Sequence, residues 1–186
     1  MTISTSNDQL RMTVYASLMA ALVAAGAFIA IPVGPVPIVL QNMFVLLAAL
    51  LLGRKWALAC IAIYLLAGAI GLPVFSAGRG GFAHFAGPTG GYLLSYLIVV
   101  YVVGWISEKF GSGYSNRSVK RMMVDIVAML IGSLIIYACG VPWLKFVTGM
   151  PWSKAIAVGA LPFLIGDIAK VIAAAFIARL IRPIIK

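Results

Sequence analysis

Between two strongly apolar stretches of the chain lies the segment Gly78-Arg79-Gly80-Gly81-Phe82-Ala83-His84-Phe85-Ala86-Gly87-Pro88-Thr89-Gly90-Gly91-Tyr92. Glycine lets backbone amides approach a bound molecule without an intervening side chain, and it permits turns with positive φ that other residues resist. A plain connector between two membrane helices would need far fewer glycines. We therefore predict that this glycine-rich segment, residues 78–92, holds a ligand, and that the apolar sequence on either side of it decides the fold.

The sequence around this segment is that of a membrane protein. Hydrophobic residues make up 63% of the chain and charged residues only 10%. The apolar runs repeatedly approach the roughly 20 residues that cross a bilayer. We predict an all-α integral membrane protein, a single domain over residues 1–186 with six transmembrane helices. The predicted spans are residues 12–31, 36–53, 56–75, 89–107, 122–141 and 155–181.

The basic residues indicate how the chain is oriented in the membrane. The formal net charge is +10, but the basic residues are spread singly and form no stripe, so no nucleic-acid partner is predicted. With a cytoplasmic N-terminus, the outside loops hold only Arg79, Lys145 and Lys154. The inside segments then hold Arg11, Arg54, Lys55, Lys109, Arg117, Lys120, Arg121, Arg179, Arg182 and Lys186. This positive-inside bias predicts that both termini are cytoplasmic and that the glycine-rich segment faces outward.

The sequence lacks the motifs of an enzyme or an ATPase. It has no Gly-x-x-x-x-Gly-Lys-Ser/Thr phosphate loop and no pair of carboxylates placed for acid/base catalysis. Its two cysteines and one histidine cannot form a tetrahedral structural metal site. We therefore predict no enzymatic activity, no cofactor and no metal.

Ionisable residues inside the predicted spans are candidates for a binding site. Each costs roughly 2.5–3.5 kcal/mol to insert, so it usually faces a partner or a wet cavity. Asp167 and Lys170 are three residues apart and lie on one face of the sixth helix. They indicate either a ligand site with an acceptor and a cationic donor, or an ion pair that helps assemble the bundle. For Asp125 we expect an interfacial ion pair with Arg121, four residues earlier.

Three uncharged polar residues are further candidates for ligand contact. Gln41 and Asn42 lie near the outer end of the second span, where burial without a partner would cost free energy. They are predicted either to line an outward cavity or to form a hydrogen bond between helices. His84 lies in the glycine-rich segment and either contacts the ligand or is simply solvated.

A row of small residues marks the first span. Ala16, Ala20 and Ala24 recur every four residues, which gives a face that another helix can approach closely. The face either packs inside the protein's own bundle or docks on a partner. Because the chain has no ATPase motif, active transport would need a partner, and we predict that these alanines bind it.

Four motifs together resemble those of one protein family. They are Pro35-Val36-Pro37-Ile38-Val39-Leu40-Gln41-Asn42, Gly71-Leu72-Pro73-Val74-Phe75, the glycine-rich segment, and Gly166-Asp167-x-x-Lys170. The chain resembles the BioY family, the biotin-binding S-components of energy-coupling-factor (ECF) transporters, over residues 12–182. The most specific part is Gly80-Gly81 with Gly87-Pro88-Thr89-Gly90-Gly91-Tyr92, whereas the Asp-x-x-Lys spacing alone is a weak signal.

The resemblance implies a function and a set of partners. It implies the ECF S-component fold and a multi-pass subunit of the prokaryotic inner (plasma) membrane that captures biotin from outside with high affinity. Delivery to the cytoplasm would need a transmembrane coupling protein of the EcfT type and two ATPase subunits, which use the ATP. Membrane lipids surround it, and biotin is a transported ligand, not a cofactor. The alternatives are an S-component for another small vitamin or a solitary vitamin transporter.

The resemblance also implies roles for individual residues. Asp167, Lys170 and Arg79 would contact the ureido ring of biotin, and the loop around Thr89 to Tyr92 would close over the ligand. Members of the family often carry asparagine at the position of Arg79, and some carry a basic residue at that of Leu93. Arg79 is therefore an alternative partner for the biotin carboxylate. The predicted ligand-binding residues are Asp167, Lys170, Arg79, Gln41, Asn42, Gly80, Gly81, Thr89, Gly90, Tyr92 and His84.

Overall fold

The protein is a bundle of long apolar helices. The computed structural model describes residues 2–32 and 34–185, with side chains for residues 7–32 and 34–185, so Lys186 of the predicted inside cluster lies outside the described residues. The helices are α1 (Thr2–Phe28), α2 (Gln41–Ala69), α3 (Ala83–Ala86), α4 (Gly90–Gly111), α5 (Val119–Thr148), α6 (Trp152–Gly159) and α7 (Leu161–Ile185). A two-stranded antiparallel sheet, β1 (Ala30–Ile31) and β2 (Ile38–Val39), joins α1 to α2.

Among the residues that the structure describes, five helical stretches are long and apolar enough to cross a membrane. They are Asn7–Phe28, Gln41–Ala69, Gly90–Gly111, Val119–Thr148 and, across α6 and α7, Trp152–Ile185. The last corresponds to the predicted sixth span, which is broken at Ala160, where φ is −133° and ψ is −54°. The helices of the first and fourth spans extend beyond their predicted bounds at one end and that of the fifth at both ends, by ten residues at most.

The helix α2 folds back on itself at Gly53. The backbone there has φ 76° and ψ 170°, and a Cβ atom would lie 2.4 Å from Oε1 of Glu108, so this turn requires glycine. The side chain of Gln41 donates a hydrogen bond to the Tyr64 hydroxyl over 2.8 Å. A straight helix would separate these two residues by about 34 Å. Residues 41–52 and 54–69 are therefore two antiparallel limbs, so the five long apolar stretches provide six helical segments in the order of the six predicted spans.

The predicted second span, residues 36–53, begins with extended chain and not with helix. Helix starts only at Gln41, because the prolines at 32, 35 and 37 lack an N–H group and disfavour helix before it, where β1 and β2 pair as a short hairpin. The first limb of α2 is 12 residues long, about 18 Å, which is short for a membrane crossing. Non-helical backbone is tolerated at such depth where it lines a cavity, and Val36, Pro37 and Val39 do so.

The predicted partner-binding face of α1 is wrong. Ala16 is only 1% exposed and Ala20 only 8%, and Ala24 packs against the same core. Their small size lets α1 lie close to the first limb of α2. The exposed small residues on α1 are one position further on, at Ser17, Ala21 and Ala25.

The expected ion pair of Asp125 with Arg121 is present, with 3.7 Å between Arg121 Nε and Asp125 Oδ1, and it is buried in the bundle. Asp125 is 2% exposed, and Arg121 on the same helix is 5% exposed. A second arginine, Arg182 near the end of α7, approaches Asp125 with 2.8 Å between Nη1 and Oδ2. The Ser107 hydroxyl of α4 donates a hydrogen bond to the other carboxylate oxygen over 2.8 Å. These contacts tie α4, α5 and α7 together at the end of the bundle opposite Gln41.

Candidate ligand-binding site

A cavity lies where the β2–α2 junction meets the chain between α2 and α4. The walls are completed by one residue each from α5 and α7. Most lining side chains are apolar or aromatic, with a few polar groups between them, as is typical of a small-molecule site. The lining residues are Val36, Pro37, Val39, Gln41, Asn42, Phe75, Ser76, His84, Thr89, Tyr92, Leu93, Tyr96, Tyr137 and Phe163.

Two amide side chains line the cavity at the start of α2. Gln41 is buried and bonded to Tyr64, whose hydroxyl in turn donates to the carbonyl oxygen of Val74 over 3.2 Å. Asn42 accepts a hydrogen bond from the Tyr96 hydroxyl of α4 over 2.6 Å. Both predicted roles are therefore combined, because each amide bonds within the bundle and also faces the cavity. Within the described chain, Oε1 of Gln41 and Nδ2 of Asn42 have no hydrogen-bond partner and are free to meet a ligand.

The charged pair on α7 lies directly behind the cavity wall. The Lys170 ammonium is 2.9 Å from Oδ1 of Asp167, and both side chains are largely buried. Tyr137, which lines the cavity, donates a hydrogen bond to the other oxygen of the Asp167 carboxylate. Neither Asp167 nor Lys170 lines the cavity itself. The structure thus connects the predicted pair to the cavity through the hydroxyl of Tyr137.

Arg79 lies at the mouth of the cavity. It lines an outer recess that shares Pro37, Ser76, His84 and Thr89 with the cavity. The backbone of Arg79 is fixed by pairing with Phe75, whose N–H group donates to the Arg79 carbonyl oxygen over 2.8 Å. The side chain is exposed, so the guanidinium is a solvent-accessible cation at the entrance and not a buried one.

His84 forms part of both the cavity and its mouth. Its ring stacks on Phe75 with 5.4 Å between ring centroids and 16° between ring planes. Burial lowers the pKa of His84 from its ordinary value of 6.5, and the positive charge of Arg79 lowers this pKa further. The imidazole is therefore neutral at pH 7 and can offer one donor and one acceptor.

Comparison with known proteins decides the family. The sequence model described as BioY family matches residues 1–186. The chain belongs to the BioY family. A biotin transporter BioY of Thermotoga maritima is 40% identical over 175 residues, which cover 94% of this chain and 98% of that protein. A biotin transporter BioY of Rhizobium etli is 37% identical over 172 residues, which cover 91% of each chain.

A solved structure shows that this BioY chain has the expected fold. The protein is similar to the crystal structure of the S-component for biotin from an ECF-type ABC transporter, with a TM-score of 0.88 and 32% sequence identity. The match covers 98% of this chain and 95% of the other. The predictions of the BioY family and of the S-component fold are confirmed.

Three glycines of the glycine-rich segment allow close packing of the backbone. A Cβ atom at Gly80 would lie 2.2 Å from the Leu72 carbonyl oxygen, and one at Gly90 would lie 1.8 Å from that of Phe85. Gly81 has φ 101°, and its N–H group donates to the Gly68 carbonyl oxygen over 2.7 Å. None of these three predicted ligand contacts lines the cavity. Thr89 and Tyr92 of the same segment do line it.

Nine of the cavity-lining residues were not among the candidate ligand-binding residues, and four of these nine are polar or aromatic residues that also lie outside the four sequence motifs. Tyr96 lies four residues after Tyr92, on the same face of α4, which is a signal that the helical spacing contains. Tyr137 and Phe163 come from α5 and α7, where an aromatic residue in an apolar run carries no special signal. Ser76 is the fourth, and its buried hydroxyl has no partner among the described residues. Such an unsatisfied hydroxyl is a candidate ligand contact.

Proposed function

We propose that this member of the BioY family is the biotin-capture subunit of an ECF-type transporter in a prokaryotic plasma membrane, and not an enzyme. The observation that carries the proposal is the match of the whole chain to a solved S-component for biotin. The cavity supports it, because biotin has an apolar bicycle and chain, a ureido group with donors and acceptors, and a carboxylate. Aromatic walls, unsatisfied amide groups and a cation at the mouth suit these three parts.

The orientation of biotin follows from where the polar groups lie. The ureido ring is placed at the inner end, near Asn42 and near Tyr137, which leads to Asp167 and Lys170. The carboxylate is placed at the mouth beside Arg79. Leu93 lines the cavity and offers no charge, and the described residues that line the cavity include no lysine or arginine for the carboxylate.

The proposal includes a division of labour between subunits. This chain binds biotin, and a transmembrane coupling protein of the EcfT type with two ATPases supplies the energy for its release into the cytoplasm. The lack of a phosphate loop in the sequence supports this arrangement.

Calorimetric titration of detergent-purified protein with biotin tests the capture function. We expect saturable binding of one biotin per chain. Asp167→Asn removes the charge that pairs with Lys170 and accepts from Tyr137, so we expect biotin affinity to fall at least about tenfold. Asp8→Asn makes the same chemical change on an exposed residue of α1 and should leave affinity unchanged.

Two outcomes would contradict the proposal. Absence of heat together with absence of competition by biotin would exclude biotin as the ligand. Equal affinity of the wild type and Asp167→Asn would show that Asp167 and Lys170 are only a structural pair, and the ureido ring would then have to lie elsewhere.

A further inference from the structure

The buried charges at the end of the bundle opposite the biotin cavity do not balance. Arg121 and Arg182 carry two positive charges, and among the described residues only Asp125 supplies a negative charge in contact with them. Ser107, which joins the cluster through its hydroxyl, is neutral. All three charged side chains are more than nine-tenths buried. A buried charge without a counter-charge is costly, so one more anionic group would balance the charge of the cluster.

The hydrogen bonds of the two guanidinium groups are also incomplete. Arg182 donates to Asp125 and, over 3.3 Å, to the Leu50 carbonyl oxygen, but its Nε atom has no partner in the described chain. Arg121 donates from Nη2 to Ser107 over 2.8 Å. Its Nε atom is 3.7 Å from the Asp125 carboxylate and is likewise unsatisfied. Buried donors of this kind normally meet an acceptor.

A cavity of about 320 Å³ opens beside these arginines, between the end of α4 and the start of α5. Arg121 and Arg182 line it together with the loop residues Ser112, Tyr114 and Asn116, which add neutral polar groups. Glu108 also lines it, but the Glu108 carboxylate already accepts from the backbone N–H group of Arg54 over 2.9 Å and lies 3.3 Å from the Arg54 side chain. The net charge presented to the cavity is therefore positive.

We propose that this cavity binds a phosphate group, supplied either by the headgroup of an anionic membrane lipid or by free phosphate. Arginine side chains are common partners of phosphate oxygens, because the planar guanidinium presents several N–H donors side by side. Basic recesses between membrane helices accommodate lipid headgroups. The bound phosphate would neutralise the excess charge and lock α4, α5 and α7 together. The site is separate from the biotin cavity, because Leu50 at the cluster and Gln41 at the cavity are about 13 Å apart along one helical limb.

Thermal unfolding of delipidated full-length protein in a phosphate-free maltoside detergent provides the test. One arm adds inorganic phosphate, and the other adds phosphatidylglycerol to the micelles without free phosphate. Potassium chloride keeps the ionic strength equal in both. A saturable rise of the unfolding midpoint in either arm is expected, and the arm in which it occurs identifies the source of the phosphate.

Three variants decide whether the rise comes from this cavity. Asn116→Asp places a carboxylate in the cavity without a change of size and should weaken phosphate affinity by about tenfold or more. Arg121→Gln should abolish the rise. Lys120→Gln removes a neighbouring exposed charge that does not line the cavity and should change the affinity by less than about twofold.

The proposal is overturned by the absence of a saturable rise in both arms, or by an equal rise in the wild type and in Asn116→Asp. The second comparison remains valid if Arg121→Gln fails to fold, because Asn116 lies in a surface loop. Either result would show that the arginine cluster only joins the three helices.

Discussion

Arg79 is the residue on which the orientation of biotin depends most directly. It is the cation at the mouth of the cavity, while Leu93 lines the wall without a charge. We expect Arg79→Ala to weaken biotin binding roughly tenfold, a modest loss because the guanidinium is exposed and its ion pair is screened by solvent. Biotin amide, which has no carboxylate, should lose less than about twofold. Parallel titrations of the two ligands measure the difference.

The control for Arg79 is another exposed cation on the side predicted to face outward. Lys154→Ala removes the same charge without touching the cavity or its mouth and should leave both affinities unchanged. Equal losses for biotin and biotin amide in Arg79→Ala would place the carboxylate elsewhere and leave Arg79 a role in shaping the loop.

His84 gives the site a pH dependence whose sign follows from its lowered pKa. The folded protein binds this proton less readily than the unfolded chain, whose histidine pKa is about 6.5. Stability is therefore lost as the pH falls through 6.5 towards the folded pKa. We expect the unfolding midpoint of the wild type to drop more between about pH 8 and pH 5 than that of His84→Gln. The effect should be below about 1 kcal/mol, because the ring is only partly buried. Parallel slopes for the two proteins would refute it.

The residues of the cavity and its mouth were predictable where several of them lie in one segment of the sequence. Arg79, His84, Thr89 and Tyr92 all lie at the cavity or its mouth, and their position among glycines marked them. For Gly80, Gly81 and Gly90, the sequence cannot tell whether a glycine makes room for a ligand or for the backbone of its own chain. The structure shows the second use, with carbonyl oxygens where a side chain would stand at two of the three.

At the scale of the helix, α1 gives a sharp test of which face is buried. Ala20→Trp inserts a large ring where α1 packs on the core, so we expect it to destabilise the protein by roughly 1–3 kcal/mol or more. Ala21→Trp makes the same change on the exposed face, and its unfolding midpoint should stay close to that of the wild type. Thermal unfolding and biotin titration of both variants measure this, and a destabilised Ala21→Trp beside an unaffected Ala20→Trp would reverse the assignment.

The same helix shows why the face was not predictable. Small residues occupy adjacent positions on α1, so the row that contains Ala20 and the row that contains Ala21 look alike. A helix that is apolar all round has no polar side to mark its outside, because lipid is as apolar as the core. The turn in α2 was predictable for the opposite reason: Gly53 is followed by Arg54 and Lys55, which interrupt the apolar run and mark the end of a span.

For the whole molecule, the path from the cavity to the opposite end is filled by side chains. The first limb of α2 presents buried residues from Val45 to Leu52 below Gln41, and the arginine cluster around Asp125 closes the far end. Interiors of this kind are close-packed and do not open without rearrangement. Capture of biotin and its release to the other side are therefore expected to be separate events, the second of which needs energy from outside this chain.

Reconstitution into liposomes tests this expectation on the complete protein. Alone, the protein should bind radiolabelled biotin in the amount set by the number of correctly oriented chains, with no accumulation over time. Together with a coupling protein of the EcfT type, its two ATPases and ATP, it should accumulate biotin, and a non-hydrolysable ATP analogue should return uptake to the level of binding. The reason is that the sequence has no phosphate-loop motif for ATP. The buried residues of the first limb of α2 also leave no open route beside it. Accumulation by the isolated protein down a biotin gradient, abolished by Asp167→Asn, would instead establish a solitary transporter, and the packed residues below Gln41 would then have to move apart during each cycle.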